Sequence, residues 1–257
     1  MTAHFSGATR GEAWFAATEH LLHVGRDINL ILSIQSPKDG AAKDTDLRRE
    51  VDGFCAGEGQ SPLHTVAETI FPAWLYRRKG LQGMFDEYPE QYAILKRQSP
   101  LNWGTYAHRI MRRHTCTGEF VNPLSDLIRN MKAELGHEVG GTFAARYDIG
   151  IADEGYELPT YSTLADQGRR RNLPCLSHLS FKLFEGRVHL TAIYRSHEYR
   201  YKTLGNLLGL ARLQACVAKE VGMPVGTLVI HSTYAFIDMS HGKTPLRKLL
   251  ARVQPLL

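Results

Sequence analysis

The feature that most constrains this sequence is a period-two run in its C-terminal third. Phe181 and Leu183, then Val188, Leu190, Ala192 and Tyr194, alternate with polar residues on either side of Glu185-Gly186-Arg187. Alternation puts every second side chain on one face, so each flank reads as a half-buried strand, and the short Gly-containing link reads as a hairpin turn. The period then changes. Leu204 to Val221 is an apolar helix stopped by Gly222 and Pro224, and Gly226 to Phe236 begins another strand. A hairpin, a covering helix and a returning strand call for a sheet with helices on it, which makes the class α+β.

Upstream, Gly11 to Val24 carries Trp14, Phe15, Ala17, Leu21 and Leu22 at helical spacing and stops at Gly25. Asn29 to Ile34 predicts a strand closed by Ser36-Pro37, and the polar Lys38 to Asp46 predicts a loop. Leu63 to Tyr76 is helical with a break at Pro72, and Asn122 to Leu135 is a third helix. Residues 136–172, rich in Gly, Asp, Thr and Arg, predict one strand around Thr142 to Ile151. No repeat, low-complexity tract or linker divides the chain, so residues 1–257 are read as one domain. With 43% hydrophobic residues such a length can bury a substantial core and excludes a disordered or collagen-like chain.

The charge balance is 31 − 26 = +5. It suits an anionic partner such as a phosphate ester. Apart from Arg77 to Lys79 and Arg169 to Arg171, the basic residues are too scattered for a nucleic-acid stripe. Cys55, Cys116, Cys175 and Cys216 lie far apart with no CxxC spacing, which predicts reduced thiols. No stretch approaches the roughly 18 apolar residues of a membrane span, and the N-terminus lacks a signal-peptide core, so a cytoplasmic location is expected.

Chemistry concentrates around Leu173-Pro174-Cys175. A cysteine alone is more often a small buried hydrophobe than a nucleophile. Here the following hairpin delivers Arg195-Ser196, a guanidinium fork beside a hydroxyl, which suits a phosphate. Asn206 comes next on the helix, and its amide offers a donor and an acceptor in one plane, as reading the edge of a base requires. The scattered histidines, His20, His23, His178, His189, His197 and His231, form no ligand spacing with a cysteine or carboxylate, so no metal is expected. Gly140-Gly141 lacks the lysine and helix start of a phosphate loop.

The segment 173–238, with Leu-Pro-Cys, the hairpin SFKLFEGRVHLTAIYRS and the helix bearing Asn206, resembles the thymidylate synthase family, including the related pyrimidine-nucleotide hydroxymethylases. The spacings from Cys175 to Arg195 and from Arg195 to Asn206 match the family's without a gap. Upstream, Glu68 in AETIF stands where the family has a helix-borne glutamate. Tyr106, followed by Ala107, resembles its Tyr-Gly turn, and Leu124 to Lys132 resembles its following helix.

The resemblance implies a twisted mixed sheet covered by helices, in a homodimer that pairs its sheets back to back. It implies transfer of a methyl or hydroxymethyl group to carbon 5 of a uridylate-type pyrimidine nucleoside 5′-monophosphate, with 5,10-methylenetetrahydrofolate as donor. Cys175 would add to carbon 6, and Arg195 and Ser196 would hold the phosphate, the arginine also favouring the thiolate. Asn206 would pair with the uracil edge. Glu68 would position water and move protons, with Tyr106 beside it, and Arg146 would reach a phosphate across the dimer.

The sequence departs from the family pattern at Leu176, Ser180 and Glu198. Phe236 and Asp238 fall where the family's His-x-Tyr holds the sugar. Either Asp238 accepts from a ribose diol, or a two-residue shift brings Tyr234 and Phe236 there. The family's C-terminal segment that closes over folate has no counterpart in this sequence. That leaves a second reading, a non-catalytic or folate-independent nucleotide-binding protein.

Overall fold

Alternating apolar residues give the strands and amphipathic stripes the helices. The computed structural model describes residues 2–38, 42–98, 104–115, 117–136, 147–151 and 174–257. The strands are β1 (His4–Gly7), β2 (Arg26–Ile34), β3 (Arg113–His114), β4 (Phe120–Val121), β5 (Asp148–Gly150), β6 (Leu176–Phe184), β7 (Arg187–Tyr194), β8 (His197–Glu198) and β9 (Val225–Phe236). The helices are α1 (Arg10–Val24), α2 (Ala42–Gly57), α3 (Leu63–Glu68), α4 (Ala73–Gln98), α5 (Tyr106–Met111), α6 (Pro123–Leu135), α7 (Thr203–Glu220) and α8 (Thr244–Val253).

The main sheet is mixed and twisted, ordered β1-β2-β9-β7-β6-β5, with β8 alongside β9. β1 with β2, β7 with β9 and β8 with β9 are parallel, and the remaining pairs are antiparallel. The predicted hairpin is β6–β7, with Phe181 opposite Leu190. Its turn places Glu185 and Gly186 at φ 47° and 66°, the left-handed pair that matches strand twist in a two-residue link.

One sheet face buries Leu30, Leu32 and Ile34 of β2, Leu190, Ala192 and Tyr194 of β7, and Leu228 and Ile230 of β9. Helices α1 and α7 cover it. Each leucine or isoleucine so removed from water contributes about 1.5–3 kcal/mol. The opposite face carries Ile28, Ile31, Thr191, Ile193 and Val229, which are half-buried or exposed. Helix α3 rests directly on α7, because Gly205 and Gly209 have no side chain to hold the backbones apart. A Cβ on Gly205 would lie 2.7 Å from Val66 Cβ, and one on Gly209 would lie 2.8 Å from the Ala67 carbonyl oxygen.

Two expectations change. The stretch 38–46 is not all loop, since α2 already begins at Ala42. Its stripe of Leu47, Val51, Phe54 and Cys55 seeks burial, and the helix extends backward over polar residues. There Asp44 accepts from Arg10 and Arg48, both at 2.7 Å. The second change is α8, which the sequence reading left unassigned although Leu246, Leu249, Leu250 and Val253 form its buried stripe. Of the strand expected at 142–151, residues 148–150 are strand and 142–146 lie outside the described residues. Among the described residues no helix is long and apolar enough to cross a membrane.

Candidate active site

Cys175 stands one residue before β6, and four hydrogen bonds at it and its neighbours fix it. The Cys175 and Leu176 N–H groups donate to the Tyr106 hydroxyl at 2.9 and 3.2 Å. The Arg195 N–H donates to the Cys175 carbonyl at 2.9 Å. Arg195 Nε donates to the Pro174 carbonyl at 2.8 Å. A hairpin returns its second strand to the start of its first, so residues far apart in sequence become neighbours here. Ser196 follows Arg195, half-buried. Tyr106 itself opens α5, where Thr105 Oγ1 accepts from the His108 N–H at 3.2 Å. The Ala107 N–H donates to the Thr69 carbonyl at 2.9 Å, tying α5 to the residue after Glu68.

Burial pushes the Cys175 thiol above its ordinary value, and the Arg195 charge pulls it back without prevailing. Arg195 favours the thiolate in the direction expected, but the guanidinium offsets only part of a larger desolvation cost. Burial, with Cys175 beside it, likewise pushes the Tyr106 phenol up to about 12.

Asn206, buried in the first turn of α7, donates from Nδ2 to His197 Nε2 at 3.1 Å. In that arrangement the imidazole proton sits on Nδ1 and is given to Ser232 Oγ at 2.9 Å, while the Tyr199 hydroxyl lies 3.1 Å from the same oxygen. Burial pushes His197 down to about 3, so the ring is neutral. It stacks on Tyr194 with centroids 3.9 Å apart and planes within 3°. The Tyr194 hydroxyl is buried without a hydrogen-bond partner among the described residues, and its phenol feels both Tyr106 and Cys175. A buried ring pair therefore backs the asparagine. Sequence reasoning missed this role for Tyr194, His197 and Ser232. The available signal was the alternation that turns Tyr194 and Ser232 inward.

Glu68 ends α3. Its Oε1 accepts from Arg212 of α7 at 3.3 Å, whereas Oε2 is buried with no hydrogen-bond partner among the described residues. Burial raises this carboxyl despite the neighbouring Arg212. Arg212 was also missed, although it is the one cation in the apolar run LLGLARLQACVA. Asp238 lies beyond β9, where its Oδ1 accepts from the Ser240 N–H at 2.8 Å, and the Ser240 hydrogen bonds hold its carboxyl low. Arg146 lies outside the described residues.

No family model matches the sequence. A curated relative from Methanothermobacter thermautotrophicus, named "Putative thymidylate synthase", is 39% identical over 238 residues, which cover 88% of this chain and 89% of the relative. The chain belongs to the thymidylate synthase family. Proteins of the same name from Methanococcoides burtonii and Methanothermobacter marburgensis match at 34% over 97 residues and 45% over 65. Those two alignments cover 42% and 29% of the relatives' own lengths.

Within this thymidylate synthase family member, the departures noted in the sequence have visible structural uses. Glu198 accepts from the Arg200, Tyr201 and Lys202 N–H groups at 2.6, 2.7 and 3.2 Å, just ahead of α7. The carboxylate satisfies backbone donors of the turn that leads into α7. Arg200, fully buried, donates from Nε and Nη2 to Glu58 at 2.9 and 2.6 Å. Leu176 has become a buried core residue. Among the described residues no group of three or more His, Cys, Asp or Glu could hold a metal.

Proposed function

We propose that the protein is a pyrimidine-nucleotide C5-modifying transferase acting on a uridylate-type 5′-monophosphate. The observation that carries this reading is the cysteine clamped between Tyr106 and Arg195 at the mouth of the hairpin. In the proposed step, Cys175 gives up its proton and its sulfur bonds to carbon 6 of the pyrimidine. The ring electrons move toward the carbon 4 oxygen, making carbon 5 nucleophilic. Carbon 5 then bonds to the one-carbon unit and loses its hydrogen as a proton, and the bond from that unit to the donor nitrogen breaks. The exocyclic carbon takes up a hydride from the reduced folate to give methyl or water to give hydroxymethyl, and the sulfur–carbon 6 bond breaks to free the cysteine.

Arg195 and Ser196 bind the phosphate, and Asn206 reads the base edge from an amide held by His197. Asp238 is assigned to the sugar and Arg146 to the phosphate. Tyr106 positions the Cys175 peptide. Glu68 moves protons, which its unpartnered buried oxygen and raised pKa favour. The same oxygen is a fitting contact for the family's donor, a reduced folate. When bound, 5,10-methylenetetrahydrofolate supplies the one-carbon unit. We further propose that residues 1–257 form one domain and that two chains pair through the uncovered sheet face.

The test is release of tritium from carbon 5 of UMP, dUMP, CMP and dCMP, with and without the folate donor. Folate-dependent release from a uridylate supports the proposal. Binding without release from any nucleotide overturns it in favour of the nucleotide-binding reading, which the raised Cys175 thiol favours. Absence of nucleotide binding overturns both.

A further inference from the structure

A cavity of about 430 Å³ opens between the start of α4 and the C-terminal half of α7. Small side chains on α7 leave room for it: Ala211, Ala215 and Ala218 recur at helical spacing on one face. Phe71, Met223 and Val225 give it an apolar floor, and among the described residues every charged one lining it is a cation, namely Lys38, Arg77, Arg212 and Lys219. The nearby carboxylates are each held by a residue of the cavity wall. Glu220 accepts from the Tyr76 hydroxyl at 2.7 Å, and Glu68 accepts from Arg212. Lys219 Nζ lies 5.3 Å from the Tyr76 ring centroid, at the rim. An apolar chamber of this size ringed by four cations matches one class of small molecule.

We propose that this cavity binds an organic anion, a phosphate or carboxylate on an aromatic or aliphatic body, and that Arg212 links its occupancy to Glu68. The body fills the space beside the three alanines and the anion meets the cations. Arg212 lines the cavity and also donates to Glu68, so an anion in the cavity competes for the same guanidinium and adds negative charge near the carboxylate. The other titratable or charged neighbours of Glu68 are Arg77 and Tyr88 of α4 and His64 of α3. Arg77 is itself a cavity residue, which strengthens the linkage, whereas His64 is not. Binding stands on the cavity alone, and its consequence for turnover rests on the role of Glu68 proposed above.

The experiment is calorimetric titration with phenyl phosphate and, separately, phenylacetate, in an Arg195→Ala background that removes the proposed nucleotide-phosphate site. At least one probe is expected to bind one per chain, with phenol and inorganic phosphate each at least about tenfold weaker. Ala215→Trp, which fills the cavity, is expected to abolish binding. Arg77→Glu with Lys219→Glu, both on exposed side chains, is expected to weaken it at least about tenfold and keeps the test valid if the tryptophan variant unfolds. The Glu68 carboxyl, followed by carbon NMR and assigned with Glu68→Gln, should titrate at higher pH when the probe is saturating. Failure of both probes to bind, or binding indifferent to the charge-reversal variant, overturns the site. Binding with an unmoved Glu68 titration overturns the link through Arg212. None of these readouts requires turnover, so they fail independently of the catalytic reading.

Discussion

At the scale of single residues, the competition between burial and Arg195 decides how Cys175 behaves. The thiol lies above its ordinary value, so it is protonated near neutral pH and its reactivity rises as the solution becomes more alkaline. Alkylation of Cys175 by iodoacetamide, followed by peptide mass spectrometry, should accelerate with pH and be slower in Arg195→Ala, where the cation that favours thiolate is gone. The same Arg195→Ala change should weaken 5′-monophosphate binding by about 2 kcal/mol, roughly thirtyfold, in a direct titration. Unchanged affinity there would remove Arg195 from the phosphate site. Cys175→Ser should bind nucleotide as the parent does while releasing no tritium, and equal turnover in the two would sink the nucleophile assignment.

At the scale of elements, the contact of α3 with α7 sets where Glu68 sits. Two glycines make that contact, and both proposed Cβ positions meet atoms of α3 at under 3 Å. Gly205→Val should therefore push the helices apart, costing about 1–3 kcal/mol as overpacking does, and thermal unfolding measures it. Because Glu68 ends α3 and Asn206 is adjacent to Gly205, nucleotide affinity should fall as well. The hairpin works differently, since it brings Arg195 to Cys175 by local pairing alone. That is why the Leu-Pro-Cys to Arg-Ser spacing was legible without any tertiary information, whereas the Glu68–Arg212 pair, 144 residues apart, was not.

At the scale of the molecule, two consequences follow from what lies inside and what does not. His197 is neutral in the fold, with a pKa near 3 against 6.5 when exposed. Below 6.5 the unfolded chain therefore binds a proton that the folded one refuses. Its contribution is present above pH 6.5 and is lost as pH falls toward 3, up to roughly 5 kcal/mol. Unfolding midpoints measured across that window should fall more steeply in the parent than in His197→Gln. The sheet face bearing Ile31, Ile193 and Val229 has no helix of the described chain over it, which fits the proposed dimer. Val229→Asp should then convert a dimer to a monomer in light scattering, and a parent that is already monomeric would refute the pairing.

Local patterns let the sequence by itself determine the hairpin, helices α1, α6 and α7, the strand β9, and the family resemblance of the segment that carries Cys175, Arg195 and Asn206. Alternation and helical spacing are properties of neighbouring residues and need no partner to be read. Only the tertiary structure decided what surrounds those groups: the Tyr106 clamp, the His197 ring behind Asn206, the Arg212 partner of Glu68 and the burial that raises the thiol. Each arises where chain segments distant in sequence exclude water from one another, and desolvation is a property of the assembled interior that no local pattern carries.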